Sequence, residues 1–282
     1  MAIIISGKET SAIIRQELKV EVDTLKNEKG ITPGLAVIIV GSDPASKIYV
    51  RNKHRACEEI GMLSRVYELP EDTKEEELLS LIDSLNADKE IHGILVQLPL
   101  PKHLDEKKVI YRIHPEKDVD VFHPYNVGLL SIGNYTLSPC TPAGCMELLK
   151  RYNIEISGKE CVVLGRSNIV GKPISMLLLQ ANGTVTTCHS RTKDLADVCR
   201  RADILVAAIG KPKFVGANMV KEGACVIDVG INRLPDGKIC GDVDYDAVIE
   251  KVGAITPVPG GVGPMTITML LKNTLLAAKK SL

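Results

Sequence analysis

The sequence predicts an α/β protein of two α/β domains with a cleft between them, the second a Rossmann-like parallel sheet. Three observations predict it. The chain has 282 residues, 45% of them hydrophobic, enough for one large or two ordinary domains. Short apolar runs of strand length alternate with helix-length amphipathic segments, the pattern of parallel sheets with right-handed crossovers. A turn-rich stretch from Pro115 to Pro142 interrupts this alternation, which then resumes.

Gly34 to Gly41 (Gly-Leu-Ala-Val-Ile-Ile-Val-Gly) is apolar throughout and reads as a fully buried strand. A helix follows from about Pro44 to Ile60, stopped by Gly61. Ser64 to Leu69 is a second strand. Thr73 to Asn86 is a helix, with Thr73 expected as N-cap and Glu76 in the capping-box position. Gly93 to Leu98 is a third strand. After the turn-rich stretch come strands at Glu160–Leu164, Thr184–His189, Asp203–Ile209 and Cys225–Val229, and helices at Lys172–Ala181 and Asp194–Arg201. The last helix runs from Pro264, suited to a first helical turn, to about Lys280. The expected domains are 1–141, completed by the helix 264–282, and 142–263.

Composition narrows the function classes. Lys plus Arg and Asp plus Glu both number 35, so no net charge favours nucleic acid or an anionic membrane. There is no Trp and only two Phe, which argues against base-stacking platforms. No apolar run approaches the roughly 20 residues of a membrane span, and no basic region precedes the short apolar start. The eight cysteines are scattered, without Cys-x-x-Cys or zinc-finger spacing, and read as reduced thiols of a cytoplasmic protein. His54, His92, His103, His114 and His123 show no paired carboxylate and no metal spacing.

Two segments carry chemistry. In Ser46-Lys-Ile-Tyr-Val-Arg-Asn-Lys, Tyr49 and Lys53 stand at i, i+4 and share one helix face. An amine beside a phenol can move protons if its environment keeps it from being an ordinary solvated ammonium. Gln97 closes the third strand at its carboxyl end, where open α/β sheets place ligands.

The second segment is Cys161-Val-Val-Leu-Gly-Arg-Ser-Asn-Ile-Val-Gly-Lys-Pro, a strand, a glycine turn and a helix start. Such a turn offers backbone N–H groups and a helix N-terminus to a phosphate. Five residues separate Gly165 from Gly171 with no glycine between, so Gly-x-Gly-x-x-Gly is absent, and that spacing with Pro173 after Lys172 excludes a Walker A loop. The next strand ends Cys-His-Ser190-Arg191-Thr, with no carboxylate for a ribose 2′-hydroxyl. Ser190, Arg191 and Arg166 instead suit a 2′-phosphate, which predicts NADP over NAD.

The motifs Tyr-Val-Arg-Asn-Lys (49 to 53), Val-Gln-Leu-Pro-Leu-Pro (96 to 101), Lys-Asp-Val-Asp (117 to 120), Pro-Cys-Thr-Pro (139 to 142), Gly-Arg-Ser-Asn-Ile-Val-Gly-Lys-Pro (165 to 173) and Pro-Gly-Gly-Val-Gly-Pro-Met-Thr (259 to 266) occur in this order along the chain. Together they resemble the bifunctional methylenetetrahydrofolate dehydrogenase/cyclohydrolase family over essentially its whole length. The resemblance implies oxidation of 5,10-methylenetetrahydrofolate by NADP, then hydrolysis of 5,10-methenyltetrahydrofolate to 10-formyltetrahydrofolate. It implies Lys53 as central catalytic residue, Tyr49 as its partner and a stacking surface, and Gln97 as the group positioning the amine. Asp120 would hold the pterin. Pro259, Gly260 and Gly261 would lie against the folate. Gly165, Arg166, Ser167, Ser190, Arg191 and Ile231 would line the cofactor site, with no metal. Tetrahydrofolate derivatives are the implied partners, and a homodimer the implied assembly.

One departure stands out: the family usually has Gly after Lys-Asp-Val-Asp, and here Val121 follows. If that position needs positive φ, Val is strained there. Two other readings remain: a monofunctional NAD(P)-dependent dehydrogenase, and a nucleotide-binding module without chemistry. Tyr49, Lys53 and Gln97 together argue against both.

Overall fold

The computed structural model describes residues 2–281, apart from the side chain of Ala45. The chain begins with β1 (Ile3–Ile4) and α1 (Gly7–Lys29). Then follow β2 (Gly34–Val40), α2 (Pro44–Glu59), β3 (Leu63–Leu69), α3 (Glu75–Ala87) and β4 (Gly93–Val96). Three helices come next, α4 (Glu106–Arg112), α5 (Pro124–Ser131) and α6 (Cys140–Arg151). The second half contains β5 (Glu160–Leu164), α7 (Gly171–Gln180), β6 (Thr184–Cys188), α8 (Leu195–Arg200), β7 (Ile204–Ala207) and β8 (Cys225–Asp228). It ends with a short hairpin, β9 (Asn232–Arg233) and β10 (Ile239–Cys240), then α9 (Tyr245–Val248), β11 (Ala254–Ile255) and α10 (Val262–Lys280).

The chain forms two compact units. One comprises Ile13–Cys140 and the chain from Ile267 onward; the other comprises the chain to Ala12 and Thr141–Thr266. The sequence assigned the first twelve residues to the opposite unit. They belong with 141–266 because β1 pairs in parallel with β11, Ile3 opposite Ala254.

In the first of these units β2 is the centre of a three-stranded sheet of order β3-β2-β4, parallel throughout. All seven residues of β2 are buried, as its unbroken apolar run requires. Ile38, Ile82, Leu85, Ile94, Val96 and Val109 meet in one core cluster. The second unit carries a six-stranded sheet of order β1-β11-β8-β7-β5-β6. Its registered pairs are all parallel. The chain runs from β5 outward to β6 and returns on the other side of β5 to β7. That reversal is a topological switch point, and ligands of open α/β sheets bind outside the carboxyl ends of the strands there.

Several local expectations need correction. α3 begins at Glu75 with Lys74 as a cap that makes no side-chain bond. Thr73 donates its hydroxyl to the Pro70 carbonyl at 2.7 Å, so it closes the preceding turn and does not accept from the helix. The stretch 115–142 contains α5, entered through His123, whose Nδ1 accepts the Tyr125 N–H at 3.1 Å. The apolar stripes of α1 and α4, interrupted by charged residues, were not read from the sequence. His54 does have a carboxylate neighbour, Glu58 one turn on at 3.5 Å.

Candidate active site

Lys53 occupies the inner face of α2 and is 8% exposed. Its Nζ donates to Gln97 Oε1 at 3.0 Å. Gln97 is held in turn: its N–H continues the ladder to Ile38 O at 2.8 Å, and its Nε2 donates to Leu98 O at 2.8 Å. Burial pushes the Lys53 pKa down, partly opposed by the negative charge of Asp120 and by Cys140. Tyr49 stands one turn earlier on α2 and is 41% exposed, an aromatic surface open to a ligand.

Asp120 reaches this place through a parallel bridge. Ile94 N–H donates to Lys117 O at 2.8 Å, so the segment 117–120 runs beside β4. Gly93 permits the approach: a Cβ there would lie 2.7 Å from the Val119 side chain. Asp118 is 2% exposed and structural, accepting from Phe122 N–H, His123 N–H and Asn126 Nδ2. Val121 follows at φ 62°, the left-handed region, and is buried. A β-branched residue therefore occupies the left-handed region here, at a cost of about 1–2 kcal/mol.

Two residues missed in the sequence complete the cluster. Cys140 is 3% exposed and its thiol pKa is pushed well up by burial, then by the Asp120 charge and its hydrogen bond to Asp120. Asn273, on α10, donates through Nδ2 to Val119 O at 2.8 Å and Ser138 O at 2.7 Å. It thus ties together the segments that carry Asp120 and Cys140. A lone Asn in an apolar helix pattern was the only available sign of it.

The residues that the sequence assigned to a nucleotide lie in the other unit, along the carboxyl edge of the six-stranded sheet. Gly165 ends β5 at φ 125°, where a Cβ would meet the Ala208 carbonyl oxygen at 2.1 Å. A Cβ at Gly171 would meet Gly165 O at 2.3 Å. Both glycines are thus fixed by close backbone approach, which explains how a five-residue spacing closes the turn. The start of α7 is not open to an anion in the way the sequence suggested. Ser167 Oγ accepts the N–H groups of Val170 at 3.1 Å and Gly171 at 3.2 Å, and Ser167 O accepts that of Lys172 at 3.0 Å. Among the described residues, no acceptor in the chain takes the backbone N–H groups of Arg166 to Ile169, so the turn itself offers the donors.

Arg166, Ser190 and Arg191 are exposed at this edge. Neither guanidinium pairs with a carboxylate among the described residues. The turn after β6 is fixed by His189, whose Nδ1 accepts the Arg191 N–H at 3.1 Å and whose own N–H donates to Thr192 Oγ1 at 2.9 Å. Ile231, 51% exposed, follows β8. A glycine cradle, free N–H donors and two unpaired cations fit a dinucleotide bearing a 2′-phosphate.

Pro259, Gly260 and Gly261 belong to this same unit. Gly260 has φ 101°, and its carbonyl accepts the Lys8 N–H at 2.9 Å. A Cβ at Gly7 would lie 1.7 Å from Gly261 O, so α1 starts in contact with this loop. No group of three or more His, Cys, Asp or Glu suited to a metal occurs among the described residues.

Comparison with known proteins also divides the chain close to residue 140, while 5–12 and 267–282 fall to the other match at the two ends. Residues 5–120 match the family model for the catalytic domain of tetrahydrofolate dehydrogenase/cyclohydrolase, and residues 139–282 match that for its NAD(P)-binding domain. The bifunctional protein FolD of Acetivibrio thermocellus is 63% identical over 276 residues, 98% of this chain and 96% of that protein. The Campylobacter jejuni bifunctional enzyme FolD superposes with a TM-score of 0.98 at 52% identity, covering both chains fully. The Trypanosoma brucei dehydrogenase-cyclohydrolase, solved with NADP and an inhibitor, gives a TM-score of 0.95 at 43% identity over 99% of this chain and 98% of that one.

Proposed function

The chain belongs to the tetrahydrofolate dehydrogenase/cyclohydrolase family, and from that premise we propose how its residues divide the two reactions. The enzyme oxidises 5,10-methylenetetrahydrofolate with NADP and hydrolyses the resulting methenyl compound to 10-formyltetrahydrofolate. The observation that carries the assignment of roles is the buried Lys53 amine held by a neutral amide, Gln97.

Hydrolysis needs proton transfer. Water adding to the methenyl carbon must lose a proton, and the departing ring nitrogen must gain one. Lys53 can take and return that proton because burial favours its neutral amine. Gln97 accepts from the amine without adding charge, so it orients Lys53 without fixing it as ammonium. The cationic substrate pushes in the same direction. Asp120 accepts from the pterin amino and ring N–H groups, and the exposed ring of Tyr49 stacks on the folate. Pro259, Gly260 and Gly261 are proposed as backbone contacts to folate.

The dehydrogenase step needs orientation more than a base, since the folate nitrogen lone pairs assist loss of hydride. NADP, when bound, is the hydride acceptor. Gly165, Arg166, Ser167 and Ile231 line its site, while Ser190 and Arg191 face the 2′-phosphate. A homodimer is the proposed assembly and the cytoplasm the proposed compartment. The free state of all eight cysteines suits a reducing environment. No helix of the described residues is long and apolar enough to cross a membrane.

The test follows methenyltetrahydrofolate by absorbance, with and without NADP. Wild type consumes it faster than buffer and Lys53→Met does not. Equal rates for the two proteins would remove Lys53 from the hydrolytic step. Sedimentation of the pure enzyme decides the assembly, and a monomer at micromolar concentration would exclude the dimer.

A further inference from the structure

The loops at the carboxyl edge of the six-stranded sheet are held by two carboxylates that neither reaction uses. Asp242 is fully buried and Asp228 is 4% exposed. Asp242 Oδ2 accepts from the N–H groups of Ile209 at 2.6 Å and Gly210 at 2.9 Å. Its Oδ1 accepts from Lys211 N–H and Asn232 Nδ2, both at 2.9 Å. One side chain therefore holds the loop after β7 and, through Asn232, the loop after β8.

Asp228 locks Asp242 in place. Its Oδ1 accepts the N–H groups of Gly230 and Asp242, and its Oδ2 that of Val243, each at 2.9 Å. The fit is reciprocal: a Cβ at Gly230 would lie 2.3 Å from Asp242 Oδ1, and one at Gly241 would lie 1.8 Å from Asp228 Oδ2. No Lys or Arg pairs with either carboxylate among the described residues; the groups that bond to their oxygens are N–H donors.

Two buried anions without a cation are a poor way to stabilise a fold, and apolar side chains of similar volume would serve as well or better. What carboxylates supply is direction, because each oxygen fixes the N–H groups that point at it. The loops fixed in this way follow β7 and β8, beside the switch point between β5 and β7. The strand that leads to Ser190 and Arg191, β6, lies on the other side of β5. In a two-halved dinucleotide fold, the β7–β8 side receives the nicotinamide half. Ile231 projects from the second loop, between Gly230, bonded to Asp228, and Asn232, bonded to Asp242.

We propose that Asp242, locked by Asp228, is a positioning residue for the cofactor: it presets the loops 209–211 and 230–232 to receive the nicotinamide half of NADP. The proposal rests on the cofactor reading above. Asp242 acts on cofactor affinity and leaves the hydrolytic chemistry at Lys53 untouched.

The experiment measures NADP binding by calorimetry and both activities in the full-length enzyme, for wild type, Asp242→Asn and Asn232→Leu. Asn at 242 replaces one acceptor oxygen by an amino group facing N–H donors. Leu at 232 cuts only the link to the second loop. For Asp242→Asn the NADP Kd and the dehydrogenase KM for NADP are expected to rise about tenfold or more. KM rises by more than kcat falls, and NADP-independent hydrolysis of methenyltetrahydrofolate keeps its rate. For Asn232→Leu the rise is about threefold. Unchanged NADP Kd in Asn232→Leu overturns the proposal even if Asp242→Asn fails to fold. A loss of hydrolysis in step with NADP affinity in Asn232→Leu also overturns it, as general destabilisation. Failure of wild type itself to bind NADP would instead remove the cofactor reading on which the proposal stands.

Discussion

The two units handle charge in opposite ways. The unit of Lys53 buries its reactive charge: an amine 8% exposed, a thiol 3% exposed and the carboxylate of Asp120 influence one another. The unit of Gly165 exposes Arg166 and Arg191, the cations proposed to meet the cofactor, and buries the carboxylates that shape its loops. The difference follows from the two tasks. Proton transfer needs a shifted pKa, which burial provides. Binding a phosphate needs cations that stay charged and reachable, and arginine at a surface does that without tuning.

The largest test of this contrast is Lys53→Met. Its hydrolytic rate should fall by a factor of about 10² to 10⁴, the usual contribution of a positioned acid–base group, while NADP affinity stays at the wild-type value. A parallel loss of NADP binding would mean that the two units do not act separately. Next in size is Arg191→Ala. The kcat/KM for NADP should fall about tenfold to hundredfold with that for NAD unchanged, since only the 2′-phosphate is lost as a partner. An equal fall for both cofactors would place Arg191 elsewhere on the dinucleotide.

The pH dependence separates the units further. Because burial lowers the Lys53 pKa, the hydrolytic kcat/KM should rise with pH and level off below the ordinary lysine range. A flat profile would show that a neutral amine is not required. In the other unit Asp228 is pushed up to about 6, first by burial and then against its backbone donors by the Asp242 charge. The sign is the reverse of a salt-bridged acid. Between the ordinary aspartate value and about 6 the folded state binds the extra proton, so stability falls as pH rises through that window. The full effect is on the order of 3 kcal/mol. It is read as the wild-type minus Asp228→Asn difference in urea unfolding free energy between pH 4 and pH 7. A difference that does not change with pH would contradict it.

The smallest effect belongs to Val121. Glycine there relieves the left-handed strain but gives up a buried side chain, so Val121→Gly should change stability by no more than about 1 kcal/mol and leave the folate KM unchanged. Val121→Ala keeps the strain and loses the packing, so it should be the more destabilising of the two. The opposite order in urea unfolding would mean that packing around residue 121 outweighs backbone conformation.

Legibility from sequence followed the range of the interaction. The buried strand at 34–40 was readable because seven consecutive residues face a core, and the glycines of 165–171 because a tight turn permits little else. The i, i+4 pair of Tyr49 and Lys53 needed only helical periodicity. By contrast, Thr73 looked like an N-cap from the residues that follow it, yet a contact to Pro70 decided its conformation. Ser167 is implied by the resemblance to line the cofactor site, but no local pattern reports that its Oγ accepts the N–H groups of Val170 and Gly171. Asn273 is 135 residues from Ser138, and no local pattern reports a bond of that separation.

The sequence by itself determined the family, the alternation of strands and helices, the position of the amine and the absence of an acid after β6, because each is a local or motif-level property. Only the tertiary structure decided that Ile3 and Ile4 join the six-stranded sheet and that Cys140 and Asn273 stand around Lys53 and Asp120. It alone revealed that two carboxylates fourteen residues apart hold the loops at the carboxyl edge of the six-stranded sheet. The physical reason is common to all three: burial and hydrogen-bond direction are set by which distant segments meet, and neither is written in the residues that flank a site.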